Sequence, residues 1–149
     1  MDIMVIWLEH IWCGNVSDKA KKLVEVTKQA FFEGIKYAKK GNRVGDISHA
    51  IFEYVKSYGY TVVKEFQGHG IGKDMHEDPG IPNYGKAGRG PRLEAGMTIA
   101  VEPMVIEGKS DILELDDGWT IVTEDGSLSA HYENTILITE KDPKILTIL

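Results

Sequence analysis

Paired cysteines are missing from this chain of 149 residues: Cys13 stands alone, so no internal disulfide can form and a metal site built from several thiolates is excluded. A lone cysteine fits a reducing compartment, and the cytosol is the expected location. Proline is scarce, with 5 residues, and no repeat or low-complexity linker is present. A membrane-spanning run is absent too: the apolar opening from Met1 to Trp12 is too short, contains Asp2, Glu9 and His10, and lacks the basic start of a secretion signal. It reads as a buried strand or an ill-fitting tail. Positive charge is in deficit, with 17 Lys and Arg against 23 Asp and Glu, a net charge of −6. That balance removes any broad attraction to phosphate backbones or anionic lipid, despite the local basic run from Lys19 to Lys40. Nucleic acid and membrane are therefore excluded as primary partners.

What is present is ordinary globular material, 42% apolar and 27% charged, enough for one domain with a real core. Ser17 reads as a helix N-cap, and apolar residues from Ala20 to Ala38 recur at three- and four-residue intervals, which predicts one long amphipathic helix up to Gly41. Asp46 is expected to cap a second helix with Ile47, Ile51, Tyr54 and Val55 on its apolar stripe and Gly59 as its stop. From Tyr60 the period changes. Thr61 to Val63 reads as a strand, and Gln67 to Gly96 as a long irregular passage rich in glycine and proline, of the kind that serves a site. Met97 to Val101, Met104 to Ile106, Trp119 to Thr123 and Tyr132 to Thr139 read as strands, with a break at Pro103 and a turn at Asp125-Gly126. Two helices followed by an antiparallel-leaning sheet suggest an α+β fold.

Donor side chains recur along these strand-like segments. His69, Glu102 and Glu133 supply nitrogen and oxygen donors that suit Mn, Fe, Co or Zn, and metal-assisted hydrolysis is the first functional hypothesis. Each residue also has a plainer reading. His69 lies between glycines, where unusual dihedrals would leave the imidazole accessible, but a loop histidine is commonly just solvated. Glu102 lies in an apolar strand, where burial would demand a partner; an outward-pointing edge glutamate is the alternative. For Glu133 the alternation sets it opposite Tyr132 and Asn134, and pattern alone slightly favours an exposed strand glutamate. His76 either stabilises a turn with Asp78-Pro79 or donates to a developing oxyanion. Trp119 is core, its commoner fate, or one wall of a side-chain pocket. His10 and His49 read as structural, and His131 as an outer-sphere candidate beside the ligand strand.

Together GHGIGKDMHEDPGIPNYG, LEAGMTIAVEPMV and DGWTIVTEDGSLSAHYENTILIT closely resemble the type I methionine aminopeptidases, from about Gly14 to Thr147. The resemblance implies the C-terminal portion of a pita-bread fold, within one domain whose residues 1–13 are atypical. It implies that His69, Glu102 and Glu133 ligate divalent metal, with Glu133 bridging two ions and Glu102 also passing a proton. His76 would steady the tetrahedral intermediate, while Met75 and Trp119 would wall the methionine pocket. Two aspartate ligands of the family, carried on a hairpin ahead of the first long helix, have no recognisable counterpart here. Asp2 is a faint echo of one; two divalent ions are expected in the family, and fewer are possible here. The implied activity is removal of N-terminal methionine from peptides and nascent proteins; a catalytically silent fragment that only binds peptide or protein is the alternative. A half-sheet would expose its edge, so the chain is expected to be truncated and to form homo-oligomers through that edge.

Overall fold

The computed structural model describes residues 4–148. The helix pair comes first. Helix α1 (Asp18–Ile35) is capped as anticipated: the Ser17 hydroxyl oxygen accepts from the Ala20 N–H at 3.2 Å. It ends before Gly41, because Tyr37 and Ala38 donate to Gly34 and Ile35 in tighter turns, although Ala38 is still buried. Helix α2 (Val44–Ser57) starts ahead of Asp46, with Arg43 at the cap; Asp46, a turn inside, accepts from the Arg43 backbone N–H at 2.8 Å. The helices approach closely at Gly34, where a Cβ would stand 2.6 Å from Ile51 Cγ1.

Among the described residues, eleven strands follow this order around the helices: β1 (Trp7–Leu8) before them, then β2 (Thr61–Val62), β3 (Gln67–Gly70), β4 (Glu77–Pro82), β5 (Thr98–Val101), β6 (Met104–Ile106), β7 (Ile112–Glu114), β8 (Ile121–Thr123), β9 (Ser129–His131), β10 (Glu133–Leu137) and β11 (Lys144–Ile145). Six form an antiparallel sheet in the order β1-β10-β5-β3-β4, with β11 also on β10; β2-β6-β9 form a second sheet and β7-β8 a hairpin. The α+β expectation holds. The passage from Gln67 to Gly96 is not wholly irregular, since it contains β3 and β4 paired through Gln67↔Pro82 and Gly68↔Ile81. Glycine alternating with polar residues hid that pairing from a hydrophobicity reading.

Two crossings define the molecule. β5 and β10 pair in the large sheet, and their continuations β6 and β9 pair in the second sheet. Both chains bend between the sheets, at Glu102-Pro103 and at Tyr132. Below the bend Tyr132 packs edge-on against Phe31, ring centroids 5.3 Å apart, in a core that includes Leu23, Ile47, Ile51, Ile99 and Ile136. Among the described residues of the opening segment, the strand that forms is short and lies at the sheet's edge, with Trp7 exposed. Trp7 and Leu8 pair with Asn134 and Glu133, while Met4 donates to the Gly72 carbonyl and Ile6 exchanges hydrogen bonds with the Thr135 hydroxyl. With β11 taking Ile136 and Leu137, the two covering strands pair along the outer edge of β10. Asp2 lies outside the described residues.

Candidate metal centre

The site forms where the two strands change sheets. Asn134 pairs with Val101, so one step along the register Glu133 stands across from Glu102. Like charges directly opposed on a sheet repel, and here both are withdrawn from water: the Glu133 side chain is 4% exposed and that of Glu102 12%. The plainer readings of an outward edge residue at 102 and an exposed strand residue at 133 are therefore overturned. β5 is central, lying between β10 and β3, and the face of β10 bearing Glu133 is covered. Asn83 holds the bend by donating its amide to the Glu102 carbonyl at 2.9 Å.

β3 brings in His69, paired with Ala100 and buried. Its flanking glycines do not take left-handed backbone, contrary to the sequence expectation; they permit close approach. A Cβ at Gly68 would lie 2.4 Å from the Ala100 carbonyl oxygen, and one at Gly70 2.1 Å from that of Asp78. The His69 Nδ1 lies 2.8 Å from the Gly70 carbonyl oxygen. A carbonyl can only accept, so Nδ1 carries the hydrogen, and Nε2 turns towards Glu102 Oε1 at 3.6 Å. One donor atom each from His69, Glu102 and Glu133 fall within 4.8 Å of one another.

Glu133 Oε1 is buried and has no hydrogen-bond partner among the described residues. Its carboxyl is pushed up to about 7, mainly by burial and next by the charge of Glu102, against weaker pulls from His131 and His69. An imidazole lone pair, two opposed carboxylates and an orphan oxygen are the surroundings a divalent cation satisfies, and the donor set fits one.

Other candidates lie farther out. The His76 ring sits 4.4 Å from that of His69, exposed at the start of β4. Met75 is 46% exposed and Trp119 87%, so the core reading of Trp119 is wrong; it stands in solvent at the β7-β8 turn, its backbone N–H held by Asp117. His131 enters the site more fully than the sequence reading allowed. Its Nε2 lies 3.3 Å from Glu102 Oε2 and 3.9 Å from Glu133 Oε2. The signal was available, since His131 and Glu133 are two residues apart on an extended segment and share a face. His10 Nε2 accepts from the His131 backbone N–H at 3.2 Å.

A buried cluster of histidine and carboxylates lies at the crossing of two antiparallel strands, and the chain belongs to metallopeptidase family M24, whose model matches residues 3–140. It is similar to the methionine aminopeptidase of Clostridium acetobutylicum, with 56% identity over 135 residues covering 91% of this chain and 54% of the relative. Methionine aminopeptidase 1 of Bacillus subtilis is 52% identical, with 90% and 54% covered. The crystal structure of a Thermotoga maritima methionine aminopeptidase superposes with a TM-score of 0.89 at 50% identity, over 91% of this chain and 55% of that one. An X-Pro aminopeptidase of the same organism, at 21% identity and a TM-score of 0.70, shares the fold. The chain thus spans about half the length of the curated relatives it matches. No helix among the described residues is long and apolar enough to cross a membrane.

Proposed function

We propose that this chain is a divalent-cation-dependent aminopeptidase that removes methionine from the N-termini of peptides and nascent proteins with a small second residue, acting in the cytoplasm where such chains emerge. One observation carries the reading: the His69 Nε2 and the opposed carboxylates of Glu102 and Glu133 converge, with a buried oxygen of Glu133 left unsatisfied. The methionine specificity is supported by the names of the relatives.

His69, Glu102 and Glu133 would hold the cation, with Co, Mn, Fe or Zn all compatible with nitrogen and oxygen donors. When bound, it supplies Lewis-acid polarisation of the scissile carbonyl and acidifies water. The remaining steps belong to side chains. Glu102, which keeps some solvent access, takes the proton of the attacking water and returns it to the leaving amine. His76, exposed and with its ring tilted against that of His69, donates to the oxygen on which negative charge develops. Met75 and Trp119, both exposed, would wall the pocket for the substrate's side chain, the role that the resemblance implies for them.

Metal-stripped chain reloaded with Mn²⁺ is expected to release free methionine from a Met-Ala-Ser peptide and nothing from Leu-Ala-Ser. Glu102→Gln purified identically should lose roughly 10²-fold or more of the rate, the scale of a general base. Cation binding without release would leave the peptide-binding reading in its place.

A further inference from the structure

We propose that Asn83 is a positioning residue for Glu102: its side-chain amide sets the direction in which the Glu102 carboxyl enters the centre, and through it the strength of cation binding and the rate of proton transfer. The inference rests on the metal-centre reading above and adds to it a residue that acts only through Glu102.

Glu102 stands where the ladders run out. β5 pairs with β3 at His69↔Ala100 and Gly70↔Ile99 and with β10 as far as Asn134↔Val101, and β6 begins only at Met104. Pro103, the next residue, has no N–H to give and restricts Glu102 to extended backbone. A free peptide plane at this bend would swing the carboxyl away from the imidazoles it faces, His69 Nε2 at 3.6 Å from Oε1 and His131 Nε2 at 3.3 Å from Oε2. What fixes the plane is a side chain. Asn83, directly after β4, donates from Nδ2 to the Glu102 carbonyl at 2.9 Å. A carbonyl only accepts, so the nitrogen of the amide and not its oxygen must face it. One strand therefore has His76 just before its start and Asn83 just after its end, and it lies against β3, which carries His69.

The second observation is that this amide is costly where it stands. Asn83 is 1% exposed, and its Oδ1 is shielded from solvent with no hydrogen-bond partner among the described residues. An apolar side chain would leave no such orphan at this place. A polar group kept in the interior with half its capacity unmet is the kind of local conflict that marks a position held for a site rather than for packing. The bond that Asn83 does make goes to the backbone of Glu102, the residue proposed both to hold the cation and to move the proton. An outer contact that orients a ligand in this way tunes the ligand without touching the ion.

The test titrates metal-stripped wild type, Asn83→Leu, Asn83→Ala and Asn83→Gln with Mn²⁺ by calorimetry, with circular dichroism to establish that each is folded. Loss of an outer contact is expected to weaken cation binding roughly 10–100-fold in Asn83→Leu and Asn83→Ala, and Asn83→Gln, which keeps an amide N–H, should recover most of it. Should Asn83→Leu fail to fold, Asn83→Ala carries the same comparison. At saturating Mn²⁺ the kcat for Met-Ala-Ser should also fall in the variants without the amide while KM stays unchanged, a split that loosened packing alone would not produce. Wild-type Mn²⁺ affinity in a folded variant without the amide, or no recovery in Asn83→Gln, overturns the proposal and leaves the metal-centre reading intact. A wild type that binds Mn²⁺ but releases no methionine removes the aminopeptidase reading alone, and the affinities still decide the role of Asn83. A wild type that binds no Mn²⁺ overturns both readings.

Discussion

Glu133 concentrates the conflict in this molecule. Its carboxyl is raised from the ordinary 4.5 to about 7, so the folded, metal-free chain binds this proton more tightly than the unfolded chain does. The resulting stabilisation is complete below about pH 4.5 and disappears as pH rises through 7. In EDTA, urea midpoints are expected to fall between pH 5 and pH 8, and Glu133→Gln should flatten that slope. Protons also compete with cations, so affinity for Mn²⁺ should weaken as pH drops below 7, and calorimetry at pH 6 and pH 8 would read it. At Gly70 steric contact rules instead: Gly70→Ala drives a methyl against the Asp78 carbonyl at a nominal 2.1 Å. That overpacking should cost about 1–3 kcal/mol, measured as a lower thermal midpoint.

At the level of elements, capping and packing separate what pattern can reveal from what it cannot. Asp46 accepts from the Arg43 N–H at 2.8 Å and, with its other oxygen, from the Gly88 N–H at 2.6 Å, tying α2 to the loop over its start. Asp46→Ala is expected to lower stability by about 1–2 kcal/mol, checked by denaturant melts. Both helices were legible because a 3.6-residue stripe repeats over several turns, and Leu23, Phe31, Ile47 and Ile51 all proved buried. β3 and β4 were not, because Gly68, Gly70 and Gly80 carry no apolar signal and their pairing is a matter of backbone proximity. β11 was missed for the opposite reason: two residues are too few to show a period.

The whole molecule shows how its sheet edge is managed. β1 and β11 cover β10 by backbone pairing, yet the covering segment brings apolar side chains to the surface: Ile11 is 84% exposed, Val5 and Trp7 53%, Trp12 45%. Exposed apolar side chains clustered in one segment favour association. Light scattering is expected to give a mass above the 16.6 kDa of one chain, and Ile11→Lys with Trp12→Lys to return it to that value. A strictly monomeric wild type would contradict this.

The sequence by itself determined the family, the two helices and the α+β character, and it named His69, Glu102 and Glu133 as candidate donors, because long motifs and periodic apolar residues are local properties. Burial of Glu102 and Glu133, the close-approach role of the glycines beside His69, the exposure of Trp119 and the place of His131 were decided by tertiary structure alone. Each depends on which strand lies beside which. The Asn134↔Val101 register sets the two carboxylates face to face, and the bend at Pro103 and Tyr132 gathers the imidazoles around them. Distance along the chain carries no record of that meeting, since His69 and Glu133 are brought together only through β5 between them.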